Sequence, residues 1–250
     1  MSKPASLRLD RLLANLGYGT RSQAQQLLRA RRVVLDGQPL VDPALRIALT
    51  ADLPERMRVN GEKLDPPPGV VLMLNKPRGV TCSHKEAGPL VYDLLPPRFP
   101  LREPALSTIG RLDKDTSGLL LITDDGALLH RIISPKNHVP KRYLATLEQP
   151  LRGDEAAIFA SGTLMLEGEE KPLLPAALEV LTPTSALITV TEGRYHQIRR
   201  MFAAVGNHVV ALHRDQLGGL ELPGDLAAGA FVALGVADAE NVVFTKPLTP

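Results

Sequence analysis

Residues 110–126, GRLDKDTSGLLLITDDG, place a polar, turn-forming cluster directly ahead of an unbroken apolar run at 119–122. A short apolar run bounded by turn residues predicts a buried strand. The Asp, Thr, Ser and Gly residues before it predict a turn, because their side chains bond the local backbone and Gly tolerates positive φ. Asp113 is thereby set on a loop anchored to a core element, where a carboxylate can act on a ligand. A plain turn would account for the cluster taken alone. A calcium loop is a second reading, since Asp113, Asp115, Ser117 and Gly118 match the first half of the EF-hand pattern. That loop needs an oxygen ligand at its ninth position and a bidentate Glu at its twelfth; here those places hold Leu121 and Asp124. Ser117 is a weaker candidate still as a nucleophile, because TSG is not the GxSxG strand-to-helix elbow.

The chain's 250 residues leave room for one large domain or two smaller ones. No apolar stretch approaches the roughly 18 residues that span a bilayer, so no membrane association is expected. The opening MSKPASLRLDR lacks a signal peptide's apolar core, which makes the cytoplasm the expected compartment. A single cysteine, Cys82, excludes an internal disulfide framework and a cysteine-rich zinc site. The net charge of +2 conceals an asymmetry. Residues 1–49 carry Lys3 and seven arginines against Asp10, Asp36 and Asp42, a net +5, which leaves −3 for the rest. A basic N-terminal segment on a slightly acidic body points to a polyanion partner.

Leu9, Leu12, Leu13 and Leu16 recur with helical spacing, and Gly17 and Gly19 end that helix. Thr20 or Ser22 can cap a second helix with Ala24, Leu27 and Leu28 on its apolar face. RRVVLDGQPLV then reads as a hairpin around Asp36-Gly37. Arg29, Arg31 and Arg32 cluster where the helix meets the hairpin. They read either as a solvated face or, with Arg21, as phosphate contacts, for which Arg is well shaped. Asn60-Gly61 marks another turn. Pro66-Pro67-Pro68-Gly69 reads as a stiff linker that spaces two domains without locking their orientation. Beyond it, strands are predicted at 70–75 and 141–148 and as a pair around Thr182-Pro183-Thr184. An amphipathic helix is predicted over 194–206, with Ile198, Met201, Phe202 and Val205 on one face and Gly206 as its cap. HVVALHR follows as a strand. The pattern predicts an α+β body with a mixed, mainly antiparallel sheet and flanking helices.

Residues 7 to about 49 resemble an S4 domain, a small RNA-binding module. Four segments of the body, NKPRGV (75–80), GRLDKDTSGLLLITDDG, KRYL (141–144) and EGRYHQIRRMFAAVGNHV (192–209), resemble in that order the motifs of pseudouridine synthases, in the branch that joins an S4 module to the catalytic domain. The resemblance implies an S4-like domain at 1–62, a Pro-rich linker at 63–69, a catalytic domain at 70–235 and a tail at 236–250. It implies an enzyme that breaks the C1′–N1 bond of a uridine in RNA and rejoins the base through C5. Asp113 matches the family's essential aspartate, acting at the sugar, at the base or on the C2′ proton. Tyr143 matches the tyrosine that packs on the target base, and Arg199 the cation that pairs with the aspartate. Ile198 matches an apolar packing contact. Arg111 is implied to hold the flipped nucleotide or fill its place. Lys76, Arg194 and His196, in the same motifs, are expected RNA contacts.

An isomerisation needs no redox or energy cofactor, and no nucleotide-binding loop or metal motif is found; His130, His138, His196, His208 and His213 fit no common ligand spacing. HRIISPKNH, the segment around the HQ pair and LGGLEL most resemble the enzyme for small-subunit (16S) ribosomal RNA, whose target is uridine 516. An enzyme for 23S rRNA and a non-catalytic rRNA-binding or assembly protein are the alternatives. The expected partner is 16S rRNA or an assembling small subunit. With no coiled-coil pattern, a monomer is expected.

Overall fold

The computed structural model describes residues 5–83, 85 and 87–244. The N-terminal unit runs β1 (Ser6–Arg8), α1 (Leu9–Asn15), α2 (Arg21–Arg29), β2 (Val33–Leu35), β3 (Gln38–Pro39), β4 (Arg46–Ala48), α3 (Leu53–Arg56), β5 (Met57–Val59) and β6 (Glu62–Lys63). Its core forms where Leu9, Leu12, Leu13 and Leu16 meet Ala24, Leu28, Val33, Met57 and Val59. Thr20 caps α2 through a reciprocal box: its Oγ1 accepts from Gln23 N, and Gln23 Oε1 accepts from Thr20 N at 2.8 Å. Asp36-Gly37 and Asn60-Gly61 take positive φ at both positions, as two-residue hairpin turns require. They close β2 on β3 and β5 on β6.

The second unit contains β7 (Val70–Lys76), β8 (Ser107–Ile109), β9 (Thr116–Thr123), α4 (Gly126–Ile133), β10 (Lys141–Leu147), α5 (Glu155–Ala160), β11 (Ala177–Thr182), β12 (Ser185–Val190), α6 (Gln197–Ala204), β13 (Val209–Leu217), β14 (Leu220–Glu221), β15 (Phe231–Gly235) and α7 (Val236–Phe244). One sheet runs β11-β12-β10-β13-β9-β7-β15, with β14 on β13 and β8 on β9. The β9–β13 pair is parallel and the other pairs are antiparallel. This is the mixed, mainly antiparallel α+β architecture expected from the sequence. Strand β9 is central and covered on both faces, which is why its sequence is an apolar run and not an alternation. Leu120 and Ile122 join the core under α5 and α6, while Leu119 and Leu121 join the core under α4 and α7.

Two expectations change. The Pro-rich segment does not leave the units free. Asp65 pairs with Arg98 through both carboxylate oxygens, and its N–H donates to the Tyr18 hydroxyl at 3.1 Å. Arg102 donates to Pro66 O at 2.8 Å, Asp124 Oδ1 accepts from the N–H groups of Gly69 and Val70, and Glu103 N–H donates to Asn15 O. Such contacts come from residues far along the chain, so linker composition alone could not announce them. The segment after 235 is likewise an element of the core: Ala239 and Val243 of α7 pack with Val71, Met73, Leu128 and Ile132. Residues 245–250 lie outside the described residues.

Candidate active site

Asp113 stands between β8 and β9 on a loop held mainly by its backbone. Buried Leu112 sinks into the core, and its neighbours Arg111 and Asp113 line a cleft of about 560 Å³. Asp113 O accepts from Thr116 N at 3.0 Å, and Lys114 O accepts from Gly79 N at 2.8 Å. Lys76, expected to touch RNA, is fully buried. Its ammonium donates to Pro77 O and Thr116 O at 2.9 and 2.8 Å, and reaches Lys114 O at 3.3 Å. A lysine enclosed this way cannot meet a phosphate; it clamps the Asp113 loop from below. Gly118 takes φ +106°, and a Cβ there would meet Arg214 O at 2.2 Å, so only glycine lets β9 and β13 approach. Ser117 bonds His213 Nδ1 at 2.9 Å, which gives its hydroxyl a partner unrelated to Asp113.

The opposite wall comes from β10, β13 and the segment entering α6. Tyr143 is buried on β10 beside Arg214 of β13, and Ile198 and Leu212 complete an apolar floor. Helix α6 starts at Gln197, three residues later than the expected span of 194–206. The cause is a turn: Gln197 N–H donates to Arg194 O, Gln197 Oε1 accepts from Arg194 N–H, and His196 is left-handed at φ 47°. That turn carries His196 Nε2 to 3.5 Å from Asp113 Oδ1. The Tyr195 ring stacks on His196 at 3.9 Å between centroids and is 72% exposed at the rim.

Arg199 lines the same cleft but does not pair with Asp113. Its Nη1 donates to Val209 O at 2.8 Å and its Nη2 reaches Asp115 O at 3.4 Å, so it braces the loop one turn away from the carboxylate. Arg194, expected to touch RNA, has its donors engaged inside the protein, by Glu192, Glu169 and the carbonyls of Lys171 and Pro172. Sequence reasoning assigned no role to Lys141 or Arg214, which also line the cleft. The signal for Arg214 was present: in HVVALHR it shares the inward parity of Leu212, an unusual place for a charge.

On the N-terminal unit, Arg29, Arg31 and Arg32 are exposed. Arg21 is also exposed, yet its Nη2 bonds the buried carboxylate of Asp10 at 2.9 Å. Burial would raise the Asp10 pKa, but hydrogen bonds from Arg8, Arg21 and Gln25 overcome it and hold the group well below the usual carboxylate range.

An RNA pseudouridylate synthase family model matches residues 70–204, which contain Asp113, Tyr143 and Arg199. The chain belongs to that family. An S4 domain model matches residues 7–51 of this pseudouridine synthase. Its sequence is 43% identical to Ribosomal small subunit pseudouridine synthase A of Escherichia coli (strain K12) over 243 residues, 95% of this chain and all of that one. The protein of the same name from Pasteurella multocida is 41% identical over 234 residues, 93% of this chain and 97% of that one. A solved structure described as a pseudouridylate synthase superposes with a TM-score of 0.65 at 38% identity, covering 95% of this chain and 99% of that one. Among the described residues, no helix is long and apolar enough to cross a membrane.

Proposed function

We propose that this synthase converts one uridine of small-subunit (16S) ribosomal RNA, uridine 516, to pseudouridine, working as a monomer in the cytoplasm. The observation that carries the reading is convergence: Asp113, Tyr143, Ile198 and Arg199, from motifs far apart in the chain, line one cleft. The reacting atoms of a stacked uridine are shielded by its neighbours, so the nucleotide must be extruded, at a cost of a few kcal/mol. Arg111, exposed at the mouth of the cleft, takes the place of the departed nucleotide or holds it. Tyr143 and Ile198 sandwich the uracil. Asp113 meets the sugar or base and initiates breakage of C1′–N1; a carboxylate can serve as nucleophile or base in this role. Arg199 and His196 hold the Asp113 loop and its carboxylate in register, and the exposed arginines of the N-terminal unit bind flanking phosphates. The small-subunit target rests on the two relatives bearing that name, aligned over nearly their whole length.

Incubation of the purified protein with 16S and 23S transcripts, followed by mapping of pseudouridine, tests the reading. A single new pseudouridine at uridine 516 of the 16S transcript is expected. Modification confined to the 23S transcript would move the target to the large subunit. Tight binding with no modification of either RNA would make the protein a binding or assembly factor.

A further inference from the structure

Two cations of the cleft have no part in the proposed reaction so far. Lys141 and Tyr143 lie on one face of β10, and Arg214 of β13 is paired with Tyr143 in register, so the two cations flank the aromatic ring. Arg214 is 2% exposed. Its Nε donates to Leu119 O at 2.8 Å, its Nη1 lies 3.5 Å from the Tyr143 hydroxyl, and its guanidinium carbon is 5.9 Å from the ring centroid. Its Nη2 is buried with no hydrogen-bond partner among the described residues. Lys141 Nζ engages one carbonyl, Val139 O at 2.9 Å, which leaves two donors. Glu192 is the carboxylate felt at Lys141, but its oxygens are taken by Leu174 N–H, Gln197 and Arg194. Burial, and then the charge of Arg214, push the Lys141 ammonium down to about 8. A buried and a half-buried cation side by side, with no carboxylate hydrogen-bonded to either, are costly in the resting protein. They suit a site whose anion arrives during the reaction.

We propose that Lys141 and Arg214 form a cationic subsite that takes up the negative charge developing on the uracil when its bond to the sugar is strained and broken. The proposal rests on the synthase reading and deepens it. If Asp113 attacks C1′, an Oδ–C1′ bond forms and the C1′–N1 pair leaves with the base. If Asp113 takes the C2′ proton, the C2′–H pair becomes the C1′=C2′ bond and the C1′–N1 pair again leaves with the base. If Asp113 adds at C6, the C5=C6 pair is pushed onto the O4 enolate. All three routes put one negative charge on the pyrimidine, shared by N1, O2 and O4 on the first two and by C5 and O4 on the third. C5 then bonds C1′. On the first route the Oδ–C1′ pair returns to Asp113, and on the second the C1′=C2′ pair retakes the C2′ proton from Asp113. On the third the C1′–N1 pair passes to N1 and the Oδ–C6 pair returns to Asp113. In each, the charge goes back to the Asp113 carboxylate, C5 loses its proton and N1 gains one. Donors already aimed at a developing anion stabilise it without reorganisation. This need is the same whichever role Asp113 takes.

The test measures single-turnover conversion of a 16S transcript, RNA affinity and thermal melting for wild type, Lys141→Met, Lys141→Arg and Arg214→Lys. Lys141→Met should lower the conversion rate on the order of 10²-fold, the scale for losing one preorganised donor, with RNA affinity held to within about twofold. In wild type the rate should fall as pH rises through about 8, because Lys141 is cationic only below that value. Besides Arg214 and Glu192, the titratable and charged groups lining the cleft with it are Arg111, Asp113, Tyr143, Arg194, Tyr195, His196 and Arg199. Lys141→Arg keeps its charge at all these pH values and should lose that alkaline limb. Arg214→Lys should melt near wild type and convert slowly; if it fails to fold, the two Lys141 variants decide the matter alone. A wild-type rate in Lys141→Met, an equal loss of affinity and rate, or an alkaline limb retained in Lys141→Arg would each overturn the proposal. A wild type that forms no pseudouridine would instead remove the synthase reading beneath it.

Discussion

Asp113 and its loop are held by the Asp113–Thr116 turn, the Gly79 N–H on Lys114 O, the carbonyl clamp of Lys76, the brace of Arg199 on Asp115 and the approach of His196 to the carboxylate. Lys76→Met should therefore lower conversion by about 10²-fold, the scale for roughly 1 Å of misplacement at a reacting group. Its RNA affinity should stay near wild type. A proportional drop in affinity in a filter-binding assay would return Lys76 to the RNA interface. The contrast shows what the chain discloses at this scale. Motif order brought Asp113, Tyr143 and Ile198 together as candidates, because their neighbours carry a distinctive pattern, and the fold lines one cleft with them. Lys76 was singled out by the same motifs as an RNA contact, but its buried place could not be read, because it follows from β7 pairing with β9 some forty residues later. Arg199 was found but misassigned in geometry: the residue type announces a cation, whereas its partners, Val209 O and Asp115 O, depend on where α6 packs.

At the scale of elements, Gly118 joins the fold to the site. It lies in β9 directly after the Asp113 loop, and its positive φ and the absence of a Cβ let Arg214 O approach. Gly118→Ala should cost at least about 1–3 kcal/mol, the usual penalty for a strained residue, before any clash is counted. It should also reduce conversion in protein that remains folded, since β9 carries the loop and β13 carries Arg214. A melting temperature equal to wild type would contradict this. The hairpins at Asp36-Gly37 and Asn60-Gly61 were legible because the turn chemistry is local. The start of α6 was not: the helix was expected from Arg194, but Gln197 closes the preceding turn with its own side chain, and the helix begins there, one residue ahead of its first apolar position, Ile198. Helix α7 was missed because its short apolar face becomes meaningful only against β7 and α4.

For the whole molecule, two units are coupled through Asp65–Arg98, Arg102–Pro66 and Glu103–Asn15. The charge asymmetry singled out the N-terminal unit, but it could not reveal this coupling, which depends on residues 98–103 packing back on the first unit. Replacing Arg29, Arg31 and Arg32 together by Ala should flatten the slope of log affinity against log salt by about 0.7–0.9 for each phosphate that is no longer neutralised. An unchanged slope would remove these arginines from the interface. The most direct test of the central claim compares ribosomal RNA from cells that lack the gene and are complemented with either wild type or Asp113→Asn. Pseudouridine at uridine 516 of the 16S RNA should return with wild type and stay absent with Asp113→Asn, although both proteins fold and bind RNA. Restoration by Asp113→Asn, or no pseudouridine with wild type, would contradict the account.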